Sequence, residues 1–244
     1  MSERPYVTLS CAMSIDGHLD SVAPRHLAMS NRADLDRVDQ VRSENDAIMV
    51  GASTVRRDDP RLLIKSEARR MRRTASGLPG SPMKVTVTSS GDLPADSAFF
   101  TTGDVDKLVY CPRGRVRRLE SRLGGAATVI GLGERVTVTG VLEDLADRGT
   151  RRLMVEGGGK LLTQFLEADL VDELQLVIAP FFVGEERAPR VVGAGRFPWT
   201  AARRAMLADT QQIGDVVLLR YALSDRAGTG TTIRLPREAL SGVR

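Results

Sequence analysis

The chain has 244 residues, of which 42% are hydrophobic, so it can build one full core but is short for two independent enzyme domains. Its net charge of +4 suits an anionic ligand and suits nucleic acid equally, so charge alone selects neither. No apolar stretch reaches the roughly 18 residues of a membrane span, the N-terminus lacks a signal-peptide core, and the cysteines show no metal or redox spacing. We therefore expect a cytoplasmic protein with reduced thiols.

Apolar runs that predict strands alternate along the chain with amphipathic periods that predict helices. The first strand is predicted at 6–13, followed by a helix at 31–42 with Ser30 or Asn31 as its N-cap. Later strands are predicted at 46–51, 84–89, 107–111, 127–131, 152–156, 172–180 and 216–223, and later helices at 114–123, after Thr139 and at 160–167. This alternation is typical of an α/β fold with a largely parallel sheet.

The segments between these elements are interpreted as turns and loops. Gly51 ends a strand that is predicted to lead into a turn, and Asp58-Asp59-Pro60 predicts a further turn. Residues 66–82, rich in Arg, Gly, Ser and Pro, predict a mobile loop. Residues 225–244 show no clear pattern and predict a C-terminal tail, which leaves one domain at 1–224.

A strand, three glycines and a helix follow one another in VEGGGKLL at 155–162. Glycine allows a phosphate to approach backbone amides at a helix N-terminus, where the helix dipole favours an anion. The motif is neither a Walker A loop nor the Rossmann fingerprint, and a simple tight turn explains it equally well. A second glycine pair, GLGE at 131–134, lacks the third glycine of a dinucleotide-binding turn.

The acidic and basic candidates each have a structural explanation beside a functional one. Asp58 is a turn residue, or a carboxylate held beside a ligand at the carboxyl edge of the sheet. His18 and His26 are the only histidines and belong to no ligand cluster, so we expect no metal site. The arginines at 69, 70, 72 and 73 could grip a phosphate, although a solvated loop explains them better.

In combination these segments resemble the C-terminal reductase domain of the bifunctional riboflavin deaminase–reductase. The resemblance spans roughly residues 4–223 and is carried by RPYVTLSCAMSIDG at 4–17, RSEND at 42–46, AIMVGASTVRRDDPRL at 47–62 and VEGGGKLLTQFLEADLVDELQLVIAPFFVG at 155–184. The zinc-deaminase motifs, HxE and PCxxC, do not occur in this sequence, so the resemblance is to a stand-alone reductase.

The resemblance implies a dihydrofolate-reductase-like fold and an NADPH-dependent reduction. The substrate it implies is a phosphorylated ribosylaminopyrimidine, whose ribosylamino group becomes a ribitylamino group. By position, the cofactor-binding residues it implies are Ala12, Thr54, Asp58, Ser89, Gly158, Gly159, Lys160 and Leu161. The substrate-binding positions it implies are His26, Arg42, Leu62, Lys65 and Glu156.

The chain departs from the family pattern on the substrate side. Ser10 replaces a family lysine, His26 a serine and Lys65 an arginine, and lysine lacks the planar fork that grips phosphate with two bonds. Asp58 or Glu156 is the candidate catalytic acid, and the sequence does not choose between them.

Three functions remain open: the pyrimidine reductase, a reductase of the same fold acting on dihydrofolate or a specialised-metabolism pyrimidine, and a non-catalytic nucleotide- or RNA-binding protein. From the family and the excess of arginine we further expect a preference for NADPH over NADH. The family also predicts a homodimer, with the long apolar stretch LVDELQLVIAPFFVG as a possible interface strand.

Overall fold

The computed structural model describes residues 3–23 and 26–229, and a nine-stranded sheet forms the centre of this part of the chain. The strands are β1 Tyr6–Ser14, β2 Ala47–Gly51, β3 Met83–Val87, β4 Lys107–Cys111, β5 Thr128–Gly131, β6 Arg152–Gly157, β7 Glu173–Ala179, β8 Met206–Ile213 and β9 Val216–Ala222. The helices are α1 Arg32–Ser43, α2 Ala52–Asp58, α3 Glu67–Ala75, α4 Ala98–Thr101, α5 Val116–Leu123, α6 Val138–Asp147 and α7 Gly159–Glu167.

The strand order is β5-β4-β3-β2-β6-β1-β7-β9-β8, and the first seven strands in that order are parallel. Strands β9 and β8 add an antiparallel hairpin beyond β7. The carboxyl ends of β1, β2, β3 and β6 therefore meet at one edge of the sheet. Open α/β sheets bind ligands at this edge.

Successive residues of the central strands point to opposite faces of the sheet, so each strand contributes to two cores. Met49 of β2 and Val155 of β6 pack with α6 and α7 on one face. Ile48 and Met154, one residue earlier on the same strands, pack on the other face with α1, α2 and α5. The strands lack polar alternation because both of their faces are covered.

The largely parallel sheet predicted from the sequence is confirmed. Of the two predicted N-caps of α1, Ser30 and Asn31, the structure shows Asn31. Its side-chain oxygen accepts from the Asp34 amide at 2.9 Å. Helix α6 begins at Val138, slightly before the predicted start, because the Thr137 hydroxyl caps it by accepting from the Gly140 amide.

The prediction of a mobile loop at 66–82 is wrong, because residues 67–75 form α3. Ser66 caps this helix, and Arg69 joins it to α1 through ion pairs with Asp36 and Asp39 at 2.6 and 2.9 Å. Arg73 is only 5% exposed and donates to the backbone carbonyls of Ser43 and Asn45. Two of the arginines interpreted as solvated are therefore structural contacts.

Two further segments differ from the sequence-based expectation. The predicted turn after Gly51 is the short helix α2, which ends where Asp59 adopts a left-handed φ of 43°. Strand β8 was not predicted, because its side chains alternate little in hydrophobicity and are mostly exposed at the sheet edge. The suggested interface strand β7 is paired on both sides, with β1 and β9, so its backbone is not free to pair with another chain.

The predicted tail is only partly within the described residues. Asp225–Thr229 form a short 3₁₀ turn, and 230–244 lie outside the described ranges. The domain boundary at residue 224 remains a prediction.

Candidate active site

A cavity of about 400 Å³ opens at the carboxyl edge of the sheet, and we call it the edge cavity. Its walls come from the loop after β1, from α2, and from the turn between β6 and α7. The lining residues are Leu19, Asp20, His26, Leu27, Ser53, Thr54, Arg57, Asp58, Gly158, Gly159 and Pro189. Five of the residues predicted from the sequence are thus brought to one place: His26, Thr54, Asp58, Gly158 and Gly159.

The turn between β6 and α7, Gly157–Lys160, accepts no side chain at its two central glycines. Gly158 has a φ of +91°, a conformation that L side chains rarely adopt. A Cβ on Gly159 would lie 2.4 Å from the carbonyl oxygen of Arg190, so the chain passes too close for any other residue. We call Gly157–Lys160 the glycine turn.

The glycine turn offers backbone amides to an anion. The amides of Leu161 and Leu162 donate to the Gly158 carbonyl at 2.8 and 3.0 Å. Those of Gly159 and Lys160 have no hydrogen-bond acceptor among the described residues, as expected for the first turn of a helix. These amides lie at a helix N-terminus and can donate hydrogen bonds to a phosphate. Because the neighbouring glycines have no side chains, there is also space for the phosphate next to the backbone.

The predicted phosphate-binding positions in this turn differ in what they can offer. Gly158 and Gly159 line the edge cavity, and the Lys160 side chain is exposed. Leu161 is only 3% exposed and packs in the core, so its side chain anchors the helix rather than touching a ligand. Thr54 lies opposite the turn, with its hydroxyl oxygen 3.3 Å from the position of a Cβ on Gly158.

The second part of the cavity is a cluster of four charged or titratable side chains, which we call the acid cluster: Asp20, His26, Arg57 and Asp58. His26 Nδ1 lies 2.6 Å from Asp20 Oδ2, and His26 Nε2 lies 3.5 Å from Asp58 Oδ1. The Arg57 guanidinium lies 3.0 Å from Asp20 Oδ2. Asp58 is one helical turn after Thr54, so both side chains project from the same face of α2.

Burial and contacts with charged neighbours shift the pKa values of Asp58, His26 and Asp20. Burial raises the pKa of Asp58 above its ordinary value, and the nearby His26 and Arg57 offset only part of that. The hydrogen bond to Asp20 raises the pKa of His26, helped by the Arg57 carbonyl and the charge of Asp58. The pKa of Asp20 is lowered, because its hydrogen bonds with Leu27, His26 and Ser21 together outweigh the effect of burial.

Arg42 and Glu156, both predicted as substrate-binding, form a two-bond ion pair. Arg42 Nε donates to Glu156 Oε1 at 2.6 Å, and Nη2 donates to Oε2 at 2.5 Å. Burial works to lower the pKa of Arg42, but the Glu156 carboxylate outweighs it and raises that pKa overall. Both oxygens of Glu156 are therefore engaged by Arg42, at the end of β6 beside the glycine turn.

The remaining predicted positions are not brought together by side-chain contacts. Ala12 lies half-buried in β1, and Ser89 is exposed two residues after β3. The Leu62 side chain is 3% exposed in the core, although its φ of +49° marks a strained backbone at that position. Lys65 is exposed, and its backbone amide donates to Asp39.

Sequence reasoning missed Asp20 and Arg57. Asp20 belongs to no recognisable motif, and only the path of the loop after β1 brings it to His26. Arg57 stands in a run of charged residues that the sequence indicates as a turn, whereas helix α2 directs its side chain to Asp20.

A second cavity lies in another part of the described chain. A more open cavity of about 600 Å³ surrounds Trp199 and Arg203, beside the amino end of β7, and none of the predicted site residues lines it. Within 3–23 and 26–229, no cluster of three or more His, Cys, Asp or Glu side chains is placed to bind a metal ion. No helix in these ranges has the length and apolar character needed to cross a bilayer.

A glycine turn at a helix N-terminus, at the carboxyl edge of a mostly parallel sheet, is typical of nucleotide-binding α/β proteins. The chain belongs to the RibD C-terminal domain family, whose model matches residues 5–219. The predicted family resemblance is therefore confirmed.

Among curated relatives, an Archaeoglobus fulgidus protein is 38% identical over 199 residues, covering 80% of this chain and 89% of its own. A Methanothermobacter thermautotrophicus protein is 35% identical over 227 residues, covering 90% and 99%. Both are named 2,5-diamino-6-ribosylamino-4(3H)-pyrimidinone 5′-phosphate reductase.

Solved structures share the fold. A deaminase/5-amino-6-(5-phosphoribosylamino)uracil reductase from Thermotoga maritima superposes with a TM-score of 0.73 at 19% identity, over 90% of this chain and 56% of that one. A pyrimidine reductase-like protein from Corynebacterium diphtheriae gives 0.74 at 23% identity, over 89% and 91%. The predicted dihydrofolate-reductase-like fold is confirmed by this similarity.

Proposed function

We propose that the protein is an NADPH-dependent reductase that converts the ribosylamino group of a phosphorylated aminopyrimidine into a ribitylamino group. The observation that carries the proposal is that one cavity joins a glycine turn suited to phosphate and a half-buried carboxyl group, Asp58. The names of the archaeal relatives support the substrate class.

The residues of the edge cavity fit a nicotinamide cofactor on structural grounds. The glycine turn leaves a space next to the backbone that a Cβ atom would occupy in any other residue. Its free amides can donate hydrogen bonds to the diphosphate of a dinucleotide. Thr54 and Ala12 are the side chains we assign to the remaining contacts near the sheet, and Ser89 to a contact beyond β3. When bound, the cofactor supplies the hydride that reduces the substrate.

The two candidate acids take different roles in this mechanism. Both oxygens of Glu156 accept hydrogen bonds from Arg42, and this paired geometry suits the orientation of substrate hydroxyl groups. Asp58 is half-exposed in the cavity, and burial raises its pKa, which makes its carboxyl group the better proton donor. We therefore assign protonation to Asp58 and substrate positioning to Arg42 and Glu156.

The reaction assigned to this site opens the ribose to an imine, adds hydride at C1′ and protonates the nitrogen. Arg42, the backbone at Leu62, and Lys65 are assigned to the substrate side. The protein lowers the barrier by aligning the reactants, which can contribute on the order of 7–11 kcal/mol.

One assay tests this function. Cofactor oxidation, followed at 340 nm, should occur with the phosphorylated ribosylaminopyrimidine. Oxidation only with dihydrofolate would transfer the assignment to another reductase of this fold, and no oxidation with either would favour a non-catalytic nucleotide-binding role. NADPH should be preferred over NADH, and equal efficiency with both would contradict that part of the proposal.

We also propose a homodimer, and the free edge of strand β8 supports it. Met206 and Leu207 of this edge strand are 60% and 53% exposed, and β8 pairs only with β9 among the described strands. An edge strand with exposed apolar side chains is a template for pairing with a second copy. Light scattering at micromolar concentration should give twice the monomer mass, and Leu207→Glu should shift it towards the monomer.

A further inference from the structure

Asp20, in the loop after β1, contacts four hydrogen-bond donors. Its Oδ1 accepts from the amides of Ser21 and Leu27 at 2.9 and 3.0 Å, and its Oδ2 faces His26 and Arg57 at 2.6 and 3.0 Å. Four donors on one carboxylate hold it ionised and in one orientation. The loop thereby presents His26 to the edge cavity in a defined position.

Every neighbour that faces the ring nitrogens of His26 is a hydrogen-bond acceptor. Nδ1 faces the Asp20 carboxylate at 2.6 Å, while Nε2 faces the Arg57 carbonyl at 3.2 Å and the Asp58 carboxylate at 3.5 Å. A neutral imidazole has only one N–H, so it would direct a lone pair at one of these acceptors. Once Asp58 has given up its proton, the arrangement is satisfied only by the imidazolium form, which donates from both nitrogens.

The charges around His26 support the same protonation state. After Asp58 has donated its proton, the two carboxylates of Asp20 and Asp58 are balanced by Arg57 and a protonated His26, and loss of the His26 proton in that state would leave a net negative cluster. The hydrogen bond to Asp20 is the main cause that raises the pKa of His26. The His26 side chain is 41% exposed, so it can exchange protons with water while it contacts Asp58.

We infer that Asp20, His26 and Asp58 form a proton relay that supplies the proton consumed in the reduction, with Asp20 as a positioning residue. The inference rests on the proposed function. As C1′ gains a hydride and its C=N bond becomes single, the nitrogen takes the proton of the Asp58 carboxyl group. The Asp58 carboxylate then takes the proton of His26 Nε2, and water reprotonates the ring.

The first test is the pH profile of turnover. The rate should fall as pH rises through the pKa of His26, because only the imidazolium can resupply Asp58. His26→Gln keeps a hydrogen-bond donor to Asp20 but cannot pass on a proton. Its kcat should fall by roughly 10–100-fold, which is less than the loss expected for a direct acid. The fall in rate with rising pH should also disappear in this variant. Asp20→Asn removes the charge that stabilises the imidazolium, so the pH at which the rate falls should move to a lower value.

Asp36→Asn is the matched control, because it removes a carboxylate that pairs with Arg69 on the surface and lies outside the edge cavity. Its pH profile should match that of the wild type. If the fall in rate with rising pH persisted unchanged in His26→Gln, the relay would be overturned while the reductase activity would remain established.

The second test does not depend on activity. The chain has two histidines, so His26→Gln assigns the His26 signals in an NMR titration of the free protein. The pKa of His26 should lie above its ordinary value, and both Asp20→Asn and Asp58→Asn should lower it. A His26 pKa that Asp20→Asn leaves unchanged would overturn the relay, whereas absence of pyrimidine turnover by the wild type would overturn the proposed function.

Discussion

The glycine turn and the acid cluster face the same cavity, but the first is built from backbone and the second from side chains. At the glycine turn, amides of α7 and the absence of Cβ atoms at Gly158 and Gly159 create the proposed phosphate site. In the acid cluster, four side chains from a loop and a helix set charge and proton affinity. Substitutions that add side-chain atoms should therefore impair the glycine turn most. Substitutions that change charge should impair the acid cluster most.

The largest expected effect is that of Asp58→Asn in the acid cluster. The substitution keeps the size of the side chain but removes the proton that we assign to the substrate nitrogen. Turnover should fall by roughly 10²–10⁴-fold, the range for a positioned acid or base, with little change in melting temperature. Steady-state kinetics with the pyrimidine substrate measures this.

Asp59→Asn is the control for that variant. The Asp59 carboxylate accepts from the Ala98 amide at 2.5 Å and so caps the short helix α4 rather than facing the cavity. Asparagine retains an acceptor oxygen, so turnover should hardly change. If Asp59→Asn lost activity while Asp58→Asn kept it, the location of the acid on α2 would be wrong.

A smaller loss is expected from adding one methyl group to the glycine turn. In Gly159→Ala the Cβ would lie 2.4 Å from the Arg190 carbonyl, so one of the two backbone segments must move. Overpacking of this kind costs about 1–3 kcal/mol. If that cost falls on cofactor binding, KM for NADPH should rise by roughly 10–100-fold, with less change in KM for the pyrimidine.

Gly80→Ala provides the comparison, because a Cβ there would meet nothing closer than 3.8 Å, at Arg70. It should leave both KM values unchanged. Equal cofactor affinity in Gly159→Ala and the wild type would show that the glycine turn does not hold the cofactor phosphates.

The next smaller effect is expected from Arg42→Lys, at the boundary between the two regions. This substitution keeps the positive charge but changes the geometry of the ion pair with Glu156. Lysine cannot make the paired bonds that Nε and Nη2 of Arg42 make to Glu156. Losing one hydrogen bond to a charged partner costs about 1.5–3 kcal/mol, so KM for the pyrimidine should rise roughly tenfold or more. Arg69→Lys, which alters ion pairs between α1 and α3, should affect stability but not KM.

The two regions also differ in how far the sequence predicts them. The glycine turn is local, because a strand, three glycines and a helix are contiguous, and the sequence predicts its position correctly. Asp20 and Asp58 are 38 positions apart, and no pattern in the sequence brings them to the two sides of His26. Their arrangement depends on the path of one loop and on α2 being a helix instead of a turn.

The same distinction explains the errors in the fold. Strands β1, β2 and β6 are buried on both faces and give apolar runs that are easy to recognise. Helix α3 has only one large apolar residue, Met71, and it is joined to α1 by ion pairs of Arg69, which an apolar pattern in the sequence does not reveal. Leu62 and Leu161 show a further limit, because resemblance identifies a contact position but not whether side chain or backbone makes the contact.

The smallest effect is expected from Lys160→Ala, which tests whether the backbone alone defines the glycine turn. The Lys160 side chain is exposed and has no hydrogen-bond or ion-pair partner among residues 3–23 and 26–229, so its contribution to a phosphate is that of a surface charge. Exposed ion pairs contribute about 0.2–1 kcal/mol, which limits the rise in KM for NADPH to roughly fivefold. The rise should disappear at high salt, because exposed charges are screened there. An increase well above tenfold that persists at high salt would show that the lysine side chain, and not the amides of Gly159 and Lys160, provides the main contact with the cofactor.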